Sequence, residues 1–332
     1  MPRELMTTRG TFADVVNAQI RAIFETNQEE QSSELYYSAL GLNDYEPDVP
    51  AEQLNDISGP GKGQVTIEGQ RYMPNSRVAG YPVTLTMRKY TFDIEWTEED
   101  MHWLQKQSSS KRASELRDAA SGAVQALQQN INEDTAKVFY LGHGTTFLTV
   151  GNSEALYGSH TIKGTGETQY NNFGSGDTHR ALGPTALIDA IAKMNRFKAH
   201  NGIQMKRCRT LKLLVSPENI ATANQIIFSM YGPNTADLGL SKSSKEALAT
   251  RKMSIDAVEV PDIPYAYRNY WFLNEVSRAS KRAFIAWGWK PRMVRDDKAT
   301  QGILRELGSV FFGPVVKGWQ WSFSSKGDSS SI

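Results

Sequence analysis

The segment Leu156–Gly176, LYGSHTIKGTGETQYNNFGSG, gathers a histidine, a lysine, five glycines and two adjacent asparagines. Those residue types suit three tasks. Glycines with a lysine can cradle phosphate, a histidine among polar neighbours can ligate a metal, and glycine with asparagine can simply turn the chain. A phosphate loop needs the spacing G-x-x-x-x-G-K-[ST] between a strand and a helix. Lys163–Thr168, KGTGET, has no helix start behind it. Gly59–Gln64, GPGKGQ, has Lys62 but no hydroxyl after it, and it opens a strand. Both read as turns in which glycine supplies a positive φ. No G-x-G-x-x-G, H-E-x-x-H or G-x-S-x-G occurs.

Metal and nucleophile chemistry find no better footing. His102, His143, His160, His179 and His200 are scattered without ligand spacing. Cys208 is the single cysteine, which excludes an internal disulfide and a multi-cysteine zinc site. It lies among Lys206, Arg207 and Arg209, cations that would lower its pKa and make it reactive; the plainer reading is a small apolar residue. Glu98, Glu99 and Asp100 follow Thr97 and read as a helix start, a capping threonine with carboxylates at the positive end of the helix. Trp319 and Trp321 alternate along an expected strand, where core or interface anchoring is a better reading than base stacking. The sequence therefore asks for no catalytic residue, no cofactor and no metal.

The elements that would carry these residues follow from periodicity. Residues 11–27 place Phe12, Val15, Val16, Ile20, Ile23 and Phe24 on one helical stripe. Residues 57–95 read as a long β-hairpin: a turn cluster ISGPGKGQ, an alternating strand, a second turn, then one long strand YPVTLTMRKYTFDIEW. Its surface is basic, with Lys62, Arg71, Arg77, Arg88 and Lys89. An isolated two-stranded hairpin is marginal in water, and a neighbouring subunit is the expected support. A short helix runs to the serines at 108–110, and a second, much longer one from about Lys111 to Leu141, with Leu116, Ala120, Ala123, Val124, Leu127 and Ile131 buried. Gly142–His160 reads as short strands and turns. Then come a helix opened by Pro184, a buried strand Thr210–Ser216, a helix capped by Ser216, and a loop and helix over 233–252. Strands follow at Asp256–Val260, Tyr270–Val276 and Arg282–Trp289, and the tail makes two more, broken at Gly313-Pro314.

Charge and composition set limits. With 332 residues the chain suggests two domains; 39% hydrophobic and 22% charged residues fit a folded protein. A net charge of +1 gives no global field for nucleic acid. Yet residues 28–56 hold eight carboxylates, Glu29 and Glu30 among them, and no lysine or arginine. Residues 193–212 hold seven cations and no carboxylate. Such blocks can pair within one fold or between copies, or can be two solvated faces. The N-terminus lacks the apolar core of a signal peptide and no stretch is long and apolar enough to span a bilayer, so the expectation is folding in the cytosol and no membrane.

In order and wording the parts resemble the major capsid proteins of tailed bacteriophages, the Hong Kong 97 fold. Ala155–Gly176 is similar to a segment of Mu-type head subunits, Leu182–Met194 to their next helix, Leu211–Ile227 to their strand ending in proline before a helix, Tyr270–Leu273 to a Trp-Phe-Leu strand, and Trp321–Gly327 to a strand end near their C-terminus. The resemblance implies an α+β chain with an N-terminal arm (1–45), an extended loop built on the hairpin (46–96), a peripheral domain with a spine helix (97–179 and 291–332) and a compact mixed axial domain (180–290). It implies pentamers and hexamers in an icosahedral shell around double-stranded DNA, a virion protein assembled in the bacterial cytoplasm, with a separate scaffolding protein, a portal and decoration proteins as partners. Leu156–Gly176 becomes a connection and His160 a structural residue.

Subunit contacts then fall to Phe12, Ile20, Glu29, Glu30, Lys62, Arg71, Tyr72, Arg77, Arg88, Trp319 and Trp321, and hinges to Gly61, Gly80 and Ser109. The arm helix begins near residue 11, so no removable N-terminal scaffolding segment is expected. Lys62 and Lys89 are the conceivable donors of an intersubunit crosslink; no acceptor is identifiable and none is expected. Three other readings compete: an encapsulin-type nanocompartment shell on the same fold; a ligand-binding α/β enzyme, which the lack of motifs disfavours; and a non-capsid interaction protein of the virion, such as a tail component, which would form rings or tubes.

Overall fold

The computed structural model describes residues 16, 18–27, 35–49, 51–60, 77–174, 179–231, 253–295 and 304–327. The chain divides into two compact units. Unit one comprises Met1–Tyr36, Met87–Asn132 and Trp287–Gly313; unit two comprises Tyr37–Thr86, Glu133–Ala286 and Pro314–Ile332.

Unit one is built on helices and a strand pair. In helix α1 (18–27) the four-residue spacing of Val16, Ile20 and Phe24 makes a stripe that is fully buried. The helix is fastened at two points: Arg21 Nε and Nη2 donate to the Glu306 carboxylate at 3.3 Å, and Asn27 Nδ2 donates to Ser121 Oγ at 2.8 Å. Helix α2 (Glu98–Lys106) starts on a capping box, with Thr97 Oγ1 accepting from the Asp100 amide and the Asp100 carboxylate accepting from the Thr97 amide. Helix α3 (Ser109–Tyr140) has 32 residues, about 48 Å at ~1.5 Å per residue. Leu116, Ala120, Ala123, Val124, Leu127 and Ile131 are its buried stripe, as the periodicity predicts. Strand β4 (Arg88–Trp96) pairs antiparallel with β11 (Leu304–Val316) from Arg88↔Phe312 to Trp96↔Leu304. Gly308 stands opposite Phe92, and a Cβ there would meet the ring at 1.9 Å, so the phenyl lies across the bare backbone.

Unit two centres on a four-stranded sheet. Strand β7 (Thr210–Val215) pairs parallel with β8 (Ser254–Glu259) and antiparallel with β9 (Trp271–Glu275), and β9 pairs antiparallel with β12 (Ser322–Ser325). Every residue of β9 and β12 is buried, so both faces are covered and the apolar run Trp271–Leu273 need not alternate. Helices α4 (Pro184–Met194) and α5 (Ile220–Tyr231) pack on this sheet. Strands β2 (Gln53–Pro60) and β3 (Arg77–Thr84) form an antiparallel pair with two register shifts, and β1 (Asn43–Tyr45) runs parallel to the start of β10 (Ala283–Arg295). Strands β5 (Ser159–Thr161) and β6 (Thr168–Tyr170) make a small hairpin. The question raised by Leu156–Gly176 is thereby answered in part: its described residues are a turn-rich ribbon.

Four local expectations are corrected. The long strand 81–96 is interrupted at residues 85–87, and its second half pairs with β11, a partner more than two hundred positions away that no local pattern reveals. Ile57–Pro60 belongs to β2 instead of a turn, the register shifts absorbing Pro60. Gly313-Pro314 lies inside β11; β4 begins opposite Phe312, so from Gly313 onward that side of β11 is an edge, where proline is tolerated. The break falls instead at residues 317–321. Before β5, Gly142–Gly158 holds turns, one isolated bridge and a short 3₁₀ turn, but no strand. The helix expected within 233–252 lies outside the described residues.

Candidate assembly surfaces

The root of the β2–β3 hairpin is built from residues far apart in sequence. Alternation along β2 turns Leu54, Asp56 and Ser58 inward. Asp56 Oδ2 accepts from Arg282 Nε at 3.0 Å, both side chains being almost wholly buried. Ser58 Oγ accepts from the His200 amide at 3.1 Å, and Asn201 Nδ2 donates to the Gly59 carbonyl at 2.9 Å. Gly80 is required by close approach: a Cβ there would lie 2.8 Å from both the Asp56 carbonyl and the His200 ring. Lys163, the lysine of KGTGET, donates to the Gly80 carbonyl at 3.2 Å and lies over the Tyr81 ring. The support for the hairpin root is therefore this chain itself, not only a neighbour. Its lysine grips backbone where a phosphate loop would grip phosphate.

Beside this root opens a cleft of about 760 Å³, lined by β2 and by the loops at residues 199–206 and 277–282, with Lys317. Five cations border it, Lys206, Arg278, Lys281, Arg282 and Lys317, against the single carboxylate of Asp56. Arg278 is 5% exposed and donates to the carbonyls of Met194 and Gln320 at 3.0 and 3.2 Å, while burial holds its pKa below the ordinary guanidinium range. Its Nε has no hydrogen-bond partner among the described residues.

The remaining chemistry-bearing residues are occupied structurally. His160 is buried, with Nδ1 2.9 Å from Glu154 Oε2 and Nε2 3.1 Å from the Leu156 carbonyl, its ring stacked on Trp319 at 4.6 Å. Among the described residues no group of three or more His, Cys, Asp or Glu could hold a metal ion. Cys208 is buried, and burial pushes its thiol up to about 11, so the flanking cations do not activate it. His143 is pushed down to about 3, first by burial and then by Lys326 and His179. His200 is also lowered, chiefly by burial.

The sequence-derived contact residues scatter. Trp319 and Trp321 lie in the turn ahead of β12, not along a strand, and are 3% and 0% exposed. Trp319 packs on His160 and Phe197, Trp321 on Phe139, all within unit two. Both side chains anchor their own core, which leaves them nothing to offer a neighbour. Ile20 is likewise spent inside unit one. Arg77 and Arg88 are exposed at strand starts. Ser109 opens α3 just after the break that ends α2, a break braced by Gln107 Nε2 donating to Glu115 at 2.9 Å. Phe12, Glu29, Glu30, Gly61, Lys62, Arg71 and Tyr72 lie outside the described residues. Sequence reasoning missed Asp56–Arg282 and Lys163–Gly80; the lone carboxylate on an inward strand position was the available signal for the first.

No protein-family pattern matches this sequence, and no curated protein does. Solved structures do. The chain is similar to the asymmetric unit of the bacteriophage PhiM1 mature capsid, at 10% identity and a TM-score of 0.50, over 88% of this chain and 86% of that one. It is also similar to the capsid of Myoviridae phage XM1 (10% identity, TM-score 0.49, 89% and 92% covered). A virus-like particle from Pyrococcus furiosus aligns at 10% identity and a TM-score of 0.44, with 93% and 98% covered. The first likeness shows the fold: the mixed helix-and-strand architecture is the Hong Kong 97-type capsid fold.

Proposed function

We propose that this chain is a capsid shell subunit, structural and non-catalytic, that assembles into pentamers and hexamers and closes an icosahedral head around packaged double-stranded DNA. The observation that carries the reading is the fold likeness to a mature phage capsid over nearly the whole length of both chains. Fold alone does not fix function, and the structural roles of His160 and Lys163 and the burial of Cys208 support the same reading. In this reading residues 46–96 are the extended loop over an adjacent subunit, 97–179 and 291–332 the peripheral domain, 180–290 the axial domain around the five- and six-fold axes, and 1–45 the arm. Each subunit then buries more than ~2,000 Å² against its neighbours, as obligate assemblies do. A scaffolding protein, a portal and decoration proteins are the partners, and cations on the inner face meet phosphate without reading bases.

Among the described residues no helix is long and apolar enough to cross a membrane. Electron microscopy of the purified chain, alone and with its scaffolding partner, tests the proposal. Closed shells or free pentamers and hexamers are the expected result, and a monomer that never assembles under either condition would overturn it. Shells that fill with protein cargo and take up no DNA would make the particle a nanocompartment instead.

A further inference from the structure

We infer that the cation-lined cleft beside the hairpin root receives the acidic loop Glu46–Val49 of a second copy of this chain. The inference rests on the shell reading only in supposing that copies meet. The cleft has the size of a ligand site, about 760 Å³. Its charge is lopsided: of the five cations on its border only Arg282 has a carboxylate, Asp56, within the cleft. Lys206 and Lys281 are exposed, and neither has an ion-pair partner among the described residues. Arg278, nearly wholly buried at the cleft wall, adds positive charge but spends its Nη1 and Nη2 donors on the carbonyls of Met194, Gln320 and Lys206. The exposed lysine donors, in excess of one carboxylate, call for carboxylate oxygens.

The same chain displays the complement. Glu46 and Asp48 are exposed on the loop after β1, with no ion pair of their own among the described residues, and Val49 beside them is 51% exposed. Ile57, which lines the cleft, is 65% exposed, so the two surfaces match in apolar contact as well as in charge. A cleft on one copy and a loop on the next make a head-to-tail contact, which repeats around a ring.

Charge exchange tests this. The pair K206E/K281E and the pair E46K/D48K should each lower shell yield about tenfold or more, and the chain carrying all four should recover it. Recovery is the reading that a misfolded variant cannot give. Independently, mixing full-length D48C with K281C under oxidation should yield a disulfide-linked dimer containing one of each chain; D118C in place of K281C should not. If both charge variants assemble like the parent chain, or if the D48C–K281C dimer is absent, the inference falls while the shell reading stands. If the parent chain never forms shells but the dimer forms, the shell reading falls and this contact stands. Calorimetric uptake of inorganic phosphate that is lost in K206E/K281E, with no mixed dimer, would make the cleft a small-anion site and overturn the proposal.

Discussion

The ion pairs Arg21–Glu306 in unit one and Asp56–Arg282 in unit two each fasten distant parts of the chain, and they sit in different surroundings. In unit one Arg21 is 39% exposed while its partner Glu306 is fully buried. In unit two Asp56 and Arg282 are each 9% exposed. Water reaches Arg21 but not the carboxylate it holds. Removing either arginine strands a carboxylate in a medium that cannot solvate it. The joint under the hairpin root is enclosed on both sides, and the pair on α1 on the carboxylate side alone.

The contrast can be broken by mutation. Arg282→Ala strands Asp56 and should destabilise unit two by about 3–5 kcal/mol, read as a fall in denaturation midpoint; an unchanged midpoint would show that the joint is not enclosed on both sides. Gly80→Ala tests the same joint by shape: the new methyl meets carbonyl and imidazole at 2.8 Å, which should cost about 1–3 kcal/mol. Normal stability in that variant would show that the joint gives way easily. Acid sharpens the comparison further. The folded state holds His143 well below its ordinary value of 6.5, at about 3. Its contribution is therefore complete above pH 6.5 and drains away as pH falls toward 3, on the order of 2 kcal/mol by pH 5. His143→Phe should flatten that limb of the stability–pH curve, and an unchanged limb would assign the acid sensitivity elsewhere. Arg21→Lys, which keeps a cation for the buried Glu306 carboxylate but gives up the two-nitrogen grip, should cost the least, about 1 kcal/mol, with the loss read in the protection of α1 amides from hydrogen exchange.

How much of this was legible follows from the reach of each interaction. The stripe of α3, the Thr97 box and the buried run of β7 are local patterns, and each appears where periodicity places it. The pairing of β4 with β11 and the seat of Asp56 against Arg282 join residues more than two hundred positions apart, and nothing in a local window reports them. Trp319 and Trp321 misled for a related reason. Their alternation mimics a strand, but they belong to a turn whose aromatic rings are claimed by His160, Phe197 and Phe139. The charge asymmetry was plain in the sequence; that Lys206 alone of the basic block would join Arg278, Lys281, Arg282 and Lys317 around a cleft was not, because distant segments supply the cleft together.

Helix α3 carries a consequence for heredity. From Leu116 to Ile131 its 32 residues keep one stripe buried. Each codon gained or lost within it turns everything downstream by about 100° and shifts it ~1.5 Å. A single inserted residue swings Leu127 and Ile131 away from the face set by Leu116, whereas seven inserted residues restore that face to within about 20°. In the gene for this helix, insertions and deletions are therefore filtered by phase, and its length should vary across descendants in steps of whole heptads while its composition drifts freely on the outward side.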